Sequence, residues 1–324
     1  MKALHHIMNA NWSAPLTKSK VAQFELHQND NNPIVILYQL KSIIDKLDYR
    51  LNIVATFILN GVALWDLMMI DRLMKWKTNH LHRIDEIFSL IGYFEAIASL
   101  SNWAYNHPDY NYANLDDTHF NLLADDIRHP LIPAGQNVSN DFAIQPTDRI
   151  NIVTGSNMAG KSTFLRTIGT NMILAYTGTK VAARQLNTSV VQLMSYMRIK
   201  DALEENVSTF KAELNRVELM LSLVKNQTKS LILIDEMLRG TNSKDKLKGS
   251  INITKTLIAQ GAYAMIATHD IKLAELVSDY PEVIRNYYFD INFEDGDLKF
   301  DYLVKKGICE NFNASYLLKQ IGVE

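Results

Sequence analysis

The sequence has little cysteine and almost no net charge. Its 324 residues include a single cysteine, Cys309, which excludes an internal disulfide and a zinc site built from cysteines, and which is compatible with a reducing cytosol. The formal net charge of −2 gives no overall attraction to nucleic acid or membranes, so any DNA contact has to come from a local patch. The opening residues are polar and lack the pattern of a signal peptide, and we therefore expect a cytoplasmic protein.

One run of the sequence, residues 51–70, is long enough to span a bilayer and carries a single charge, Asp66. It also contains Asn52, Asn60 and Gly61, and no second run of this kind follows it. We therefore interpret the run as a buried helix and do not expect a membrane partner. A membrane-proximal role is the alternative.

The chain length predicts two domains, which we place at residues 1–115 and 116–324. In the first domain, residues 1–32 are polar and show no sustained period. Helical spacing begins after Asn32 and Pro33 and continues to about residue 105, with almost no strand signal. The first domain is therefore expected to be α-helical.

The second domain alternates short strands with helices, which predicts an α/β fold with a mixed, mainly parallel sheet. Residues 110–117 are the expected linker. The apolar runs 230–235 and 262–268 are typical of buried parallel strands. Residues 286–304 predict a hairpin around an Asp-Gly turn. Ser208 is expected to cap a helix whose apolar residues share one face: Phe210, Leu214, Val217, Leu221 and Val224.

The most informative motif is a glycine-rich segment at residues 155–163, between a predicted strand and a predicted helix. Glycines at both ends let the backbone turn its N–H groups toward phosphate oxygens, and the following helix adds its positive dipole end. Lys161 is suited to reach the β- and γ-phosphates, and the Ser162 hydroxyl is suited to bind Mg²⁺. We therefore predict that this loop binds a nucleoside triphosphate through Gly155, Ser156, Asn157, Met158, Ala159, Gly160, Lys161, Ser162 and Thr163.

Two acids and a histidine follow the apolar strands. Asp235 is placed to hold Mg²⁺, and Glu236 is placed to orient and polarise the water that attacks the γ-phosphorus. His269 directly follows the next apolar strand and is expected to contact the γ-phosphate. We assign catalytic roles to Lys161, Glu236 and His269. Ser208 at a helix N-terminus is expected to bind a phosphate, with a simple helix cap as the alternative.

Four segments together resemble the ATPase domain of MutS-type mismatch-repair proteins: residues 154–166, 208–213, 233–243 and 267–270. Their order and spacing also fit, and the similarity extends over roughly residues 118–324. The resemblance implies a P-loop ABC-type ATPase that uses ATP and Mg²⁺. It implies a homodimer enclosing two nucleotides, in which Ser208 of one subunit completes the site of the other. Double-stranded DNA and other repair proteins are the partners it implies.

The sequence departs from that family in two respects. Ser156 and Ala159 stand where the family has proline and glycine, and both are small enough to preserve the loop. The Phe-x-Glu motif with which the family recognises mismatches is missing from the first hundred residues. The resemblance therefore supports ATP hydrolysis by this chain more strongly than it supports mismatch recognition. The rival hypothesis is a nucleotide-gated binding module with a protein or membrane partner, and a metabolic kinase is a weaker third.

Overall fold

The protein is described here from a computed structural model, which divides into two compact units. The structure describes residues 2–25, 32–116, 119–156, 158–197, 209–225, 229–294 and 297–309. The first unit is Met1–Asn102 and the second is Trp103–Glu324. Trp103 belongs to the second unit, where its indole N–H donates to the Lys180 carbonyl at 2.8 Å. The expected domain boundary between residues 115 and 116 therefore lies inside the second unit.

The first unit is helical, as the sequence predicts. Its elements are a 3₁₀ turn at Asp48–Leu51 and the helices α1 (Lys2–Asn9), α2 (Pro15–Glu25), α3 (Pro33–Leu47), α4 (Ile53–Ala63) and α5 (Trp65–Asn106), the last of which ends within the second unit. The start of α3 is confirmed, because the Asn32 side chain accepts a hydrogen bond from the Ile34 N–H at 2.9 Å. The predicted end of the helical region near residue 105 is confirmed by α5.

The polar segment 1–32 contains two helices that the sequence did not predict. α1 buries Leu4 and Ile7, and α2 buries Val21 and Phe24. Each helix thus contributes one pair of apolar residues, three apart, to a core shared with α3 and α5. So short a helix is marginal alone and is stabilised mainly by packing, which a local sequence pattern does not reveal.

Residues 51–70 are helical, as predicted, but the prediction that they are buried was wrong. Leu64, with a φ of +46°, separates α4 from α5, and the Asn60 side chain accepts a hydrogen bond from the Asp66 N–H across this break at 2.9 Å. We call the most exposed large apolar residues of this region, each at least 61% exposed, the apolar tip: Leu51, Ile53, Val54, Phe57, Ile58, Val62, Leu64 and Leu67. Among the described residues, no helix is long and apolar enough to cross a membrane.

The second unit alternates strands and helices. Its helices are α6 (Lys161–Tyr176), α7 (Thr209–Lys225), α8 (Ser243–Ala259) and α9 (Ile271–Ala274), with 3₁₀ turns at Ala134–Gln136 and Glu275–Ser278. Its strands are β1 (Asn111–Tyr112), β2 (Asn114–Asp116), β3 (Leu122–Ile127), β4 (Asn140–Ile144), β5 (Ile150–Thr154), β6 (Lys180–Val181), β7 (Gln185–Ser189), β8 (Gln192–Tyr196), β9 (Ser230–Asp235), β10 (Tyr263–Ala267), β11 (Ile284–Phe289), β12 (Asn292–Glu294), β13 (Asp297–Lys299) and β14 (Val304–Lys306).

The main sheet of this unit has the strand order β14-β11-β5-β10-β9-β8. Strands β11, β5, β10, β9 and β8 run parallel to one another, and β14 pairs antiparallel with β11 at the edge of the sheet. α6 packs on one face of the sheet, and α7 and α8 pack on the other. Burial on both faces explains the uninterrupted apolar runs at 230–235 and 262–268. Their prediction as parallel strands, and that of a mixed, mainly parallel sheet, is confirmed.

A second sheet of order β2-β7-β3-β4 lies in the same unit, and it corrects one prediction. Residues 110–117 are not a linker, because β1 pairs with β6 and β2 pairs with β7. Asp117 lies outside the described residues. The side chains of Tyr112 and Leu115 are 64% and 43% exposed, so these short strands lack the buried pattern from which a strand is predicted.

α7 confirms the helix predicted after residue 208, with one change in its buried face. Val217 and Val224 are buried as predicted, whereas Leu214 is 38% exposed and Met220 is buried instead. The hairpin predicted near the end of the unit is formed by the antiparallel pair β12 and β13, with strands shorter than expected. Its turn, residues 295–296, lies outside the described residues.

Candidate functional site

The glycine-rich loop, residues 155–163, joins the carboxyl end of β5 to the start of α6, as predicted. Gly155 and Gly160 have φ values of +143° and +108°, which residues with side chains rarely adopt. A Cβ atom on Gly155 would lie 2.9 Å from the carbonyl oxygen of Phe289 in β11, so this position has no room for a side chain. Asn157, which the sequence assigns to the same loop, lies outside the described residues.

Lys161 is the first residue of α6 and folds back over the loop. Its Nζ donates to the carbonyl oxygens of Gly155 and Ser156, each at 2.7 Å. Burial lowers the pKa of Lys161, although the charges of Glu236 and Asp235 act in the opposite direction. The ammonium group is therefore a nearly buried cation held by neutral oxygens, and an anion that enters the loop could replace them.

Ser162 and Asp235 bring together two oxygen atoms that could bind a metal ion. Ser162 lies in the first turn of α6, and Asp235 is the last residue of β9. The Ser162 hydroxyl donates to Asp235 Oδ1 at 2.8 Å, although the two residues are 73 positions apart. Hydroxyl and carboxylate oxygens are hard ligands of the kind that Mg²⁺ prefers. The structure thus brings together the two residues that the sequence assigns to a metal ion.

Glu236 and His269 meet just beyond the ends of β9 and β10. These strands are parallel, with Ala267 opposite Asp235, so the residues that follow them lie side by side. Glu236 Oε1 is 2.7 Å from His269 Nδ1. Burial tends to raise the pKa of the Glu236 carboxyl, but the hydrogen bond from His269 and the charges of His269 and Arg239 hold that pKa below its usual value. Glu236 is therefore ionised at neutral pH.

The backbone directly after β9 is strained. Glu236 and Leu238 have φ values of +57° and +54°. Such conformations cost a non-glycine residue on the order of 1–3 kcal/mol and persist where surrounding contacts fix them. One of these contacts is the hydrogen bond from the Glu236 N–H to the Ala267 carbonyl at 3.0 Å. The sequence contains no glycine or asparagine that would mark these positions.

Arg239 belongs to the same cluster, although the sequence did not assign it there. Its Nε lies 3.0 Å from Glu236 Oε2, and its Nη2 lies 3.7 Å from Asp235 Oδ2. The backbone N–H groups of Arg239 and Gly240 donate to the carboxylate of Glu213 in α7. In the sequence, Arg239 follows Glu236 by three positions and Asp235 by four, and this spacing is too common to indicate a site by itself.

The cluster faces a cavity of about 800 Å³. Eight predicted site residues line it: Ser156, Met158, Gly160, Lys161, Ser162, Thr163, Asp235 and Glu236. Ala159 is buried and does not line the cavity, and His269 contacts Glu236 without lining the cavity. The segment after β3 also lines the cavity, through residues that include Ile132 and Val138. Ser208 lies outside the described residues.

The fold and the site define an α/β protein in which a glycine-rich loop and two strand-end acids share one cavity at the carboxyl edge of a mainly parallel sheet. Comparison with protein families extends this description, because residues 151–321 match the family model of MutS domain V. This match covers more than half of the chain. The chain therefore belongs to the MutS family, as the sequence motifs predicted.

Individual relatives agree with the family match. The chain is 33% identical over 230 residues to the DNA mismatch repair protein MutS of Thermotoga maritima, and the aligned region covers 70% of this chain and 29% of the relative. It is 34% identical over 204 residues to the DNA mismatch repair protein MSH4 of Arabidopsis thaliana, with coverages of 62% and 25%. It is 27% identical over 256 residues to MutS protein homolog 4 of Homo sapiens, with coverages of 76% and 27%. The chain thus spans less than a third of each relative.

Proposed function

We propose that this chain binds and hydrolyses ATP with Mg²⁺ at the glycine-rich loop, as the P-loop ABC-type ATPase part of a MutS protein. The contact between Ser162 and Asp235 carries the proposal, because it joins the loop to the strand-end acids in one oxygen-rich site. The cavity of about 800 Å³ lies within the range of roughly 300–1,000 Å³ that is typical of small-molecule sites. The resemblance of the motifs to the MutS ATPase domain favours ATP over other nucleotides.

Phosphate binding would use the loop backbone and Lys161. The conformations of Gly155 and Gly160 allow successive N–H groups to turn toward an anion. The positive dipole end of α6 lies at the same point and favours negative charge. Lys161 would exchange its two carbonyl contacts for oxygens of the β- and γ-phosphates, where its charge also stabilises the transition state.

The oxygen atoms of Ser162 and Asp235 fit a magnesium ion. In nucleotide sites Mg²⁺ is held by one or two protein oxygens, while substrate phosphates and water complete its octahedral shell. The Ser162 hydroxyl and Asp235 Oδ1 are 2.8 Å apart and form such a pair. When bound, the ion would neutralise charge on the phosphates as the γ-phosphoryl group is transferred.

Glu236 would orient and polarise the attacking water. Its lowered pKa keeps the carboxylate ionised at neutral pH, as this role requires. His269 fixes the direction of the carboxylate through the contact of 2.7 Å with Oε1. A contact of His269 with the γ-phosphate of the bound nucleotide is part of the same proposal.

We further propose a homodimer in which each nucleotide lies between two copies of the chain. Ser208 of one copy would complete the site of the other, an assignment that rests on the resemblance to the MutS ATPase domain. Two of the relatives are named DNA mismatch repair proteins. We therefore propose double-stranded DNA and other repair proteins as partners of the dimer, with ATP turnover coupled to DNA binding.

The assignment of Glu236 is tested by Glu236→Gln in a steady-state ATPase assay with Mg²⁺. Removing a general base is expected to lower the hydrolysis rate on the order of a hundredfold or more. Binding of a fluorescent ATP analogue should remain, because the loop and Lys161 are unchanged. Glu282→Gln, at an exposed position, is the matched control. A Glu236→Gln variant as fast as the control would contradict the assignment, and a wild-type chain without ATPase activity would contradict the proposed function.

The apolar tip favours a second candidate function, a nucleotide-gated module that binds a protein or membrane surface. Phe57 and Val62 are 80% and 86% exposed, and apolar patches of this kind mark interaction surfaces. Fluorescence anisotropy with homoduplex and mismatched DNA, with and without a non-hydrolysable ATP analogue at two salt concentrations, separates the two functions. Nucleotide-dependent DNA binding supports the first function, and the absence of binding at low salt supports the second.

A further inference from the structure

Glu213 is a buried carboxylate in the interior of α7, and it holds the chain that follows the strand-end acids. Only 9% of the surface of this residue is exposed. One of its oxygens accepts the Arg239 N–H at 3.3 Å, and the other accepts the Gly240 N–H at 3.2 Å. A buried carboxylate is costly unless it is hydrogen-bonded, so the helix and the loop fix each other.

The packing around Gly240 leaves little freedom for any other arrangement. A Cβ atom at this position would lie 3.1 Å from the backbone N and Cα of Phe210, which is also in α7. The loop therefore lies directly against the helix, with its N–H groups directed at Glu213. This contact joins residues 26 and 27 positions apart, and local sequence preferences do not specify it.

The side chain of the same loop residue reaches the site. Arg239 Nε lies 3.0 Å from Glu236 Oε2, while His269 Nδ1 lies 2.7 Å from Oε1. Each oxygen of the Glu236 carboxylate is thus held by a different neighbour, which fixes its plane. Of these two neighbours, Arg239 lies in an irregular segment and depends on Glu213 for the position of its backbone.

We propose that Glu213 is a positioning residue for ATP hydrolysis, which holds the backbone of Arg239 and Gly240 so that the Arg239 guanidinium keeps the Glu236 carboxylate in place. This inference rests on the proposed function, in which Glu236 orients the attacking water. Glu213 itself does not line the cavity and would not touch the nucleotide. Its effect is therefore on the rate of the chemical step and not on nucleotide affinity.

Glu213→Gln distinguishes this role from simple space filling. Glutamine has nearly the same shape, but its amide carries one acceptor oxygen, so its NH₂ group would face one of the two N–H donors. A residue that only fills space would tolerate this exchange. We expect Glu213→Gln to lower kcat for ATP on the order of tenfold or more, as misplacement of a catalytic group does, with KM little changed. Glu218→Gln, at an exposed position of the same helix, is the matched control and should match the wild type.

Hydrogen–deuterium exchange tests the contact independently of catalysis. The amides of Arg239 and Gly240 should exchange faster in Glu213→Gln than in the wild type, and Glu218→Gln should leave them unchanged. A double-mutant cycle with Arg239→Gln tests the route, because two residues that act through one contact have non-additive effects on kcat.

Three results would overturn the inference: wild-type kcat in Glu213→Gln, unchanged exchange at Arg239 and Gly240, or additive effects with Arg239→Gln. A wild-type protein that does not hydrolyse ATP would instead overturn the proposed function, together with the catalytic role of Glu213. Slow hydrolysis and fast exchange in Glu213→Gln, with both properties normal in Glu218→Gln, is the expected pattern.

Discussion

Asn171 joins α6, the helix that follows the glycine-rich loop, to two neighbouring segments, and its removal should weaken the second unit. The residue is 0% exposed. Its Nδ2 donates to the Arg128 carbonyl at 2.9 Å, and its Oδ1 accepts the Ala182 N–H at 2.7 Å. In Asn171→Ala both backbone groups lose their partner. Leaving a buried polar group unpaired costs about 1–3 kcal/mol, so for two groups we expect the free energy of unfolding to fall by about 2–6 kcal/mol.

Urea unfolding followed by circular dichroism measures this loss, provided that the slope with denaturant is the same for each variant. Thr170→Ala is the control in the same turn of α6, because the Thr170 hydroxyl donates at 2.7 Å to the Arg166 carbonyl of its own helix. Its loss should change the free energy of unfolding by only about 0.5 kcal/mol or less. An Asn171→Ala variant as stable as Thr170→Ala would refute the cost assigned to the two unpaired backbone groups.

Other predictions concern the loop, the response to alkali and the first unit. Gly155→Ala should abolish binding of a fluorescent ATP analogue, because its Cβ would lie 2.9 Å from the Phe289 carbonyl oxygen, and retained affinity would contradict the loop geometry. Burial raises the pKa of Tyr196 to about 12. The phenol therefore loses its proton at a lower pH in the unfolded chain than in the folded one, so the free energy of unfolding should fall between about pH 10 and pH 12. This fall should be smaller in Tyr196→Phe. Trp76→Phe removes the hydrogen bond of 3.1 Å to the Ile36 carbonyl and should lower the free energy of unfolding by roughly 1–3 kcal/mol in urea titrations.

The parts of the fold that the sequence predicts correctly are those with a local cause. The loop at 155–163 needs glycines for its backbone, and the strand at 230–235 needs apolar residues on both faces, so both leave a pattern. The helix start at Pro33 is likewise fixed by Asn32 beside it. In each case the residues that create the structure are adjacent in the chain.

The parts that the sequence misses depend on distant partners. The helices within residues 1–32 are stabilised by α3 and α5, and the strands within 111–116 exist because they pair with β6 and β7. The run 51–70 has the composition of a core, yet its polar residues Asn60 and Asp66 bridge the break at Leu64, and most of its apolar residues remain exposed. Composition indicates what could be buried, whereas tertiary packing decides what is buried.

The candidate site divides in the same way. The cluster of Asp235, Glu236 and His269 could be predicted, because the carboxyl ends of parallel strands meet at one edge of a sheet. The contact of Arg239 with Glu236 could not, since it depends on the positive φ angles after β9 and on the hydrogen bonds to Glu213. The roles assigned to the site residues in binding and catalysis all stay predictions, and Asn157 and Ser208 lie outside the described residues.

The two neighbours of the Glu236 carboxylate have a consequence for the timing of the proposed reaction. A carboxylate bound by Arg239 on one oxygen and by His269 on the other has a low proton affinity. It would hold the attacking water by a hydrogen bond and accept its proton only as the new bond to phosphorus forms, in the same step that Glu236→Gln is expected to slow.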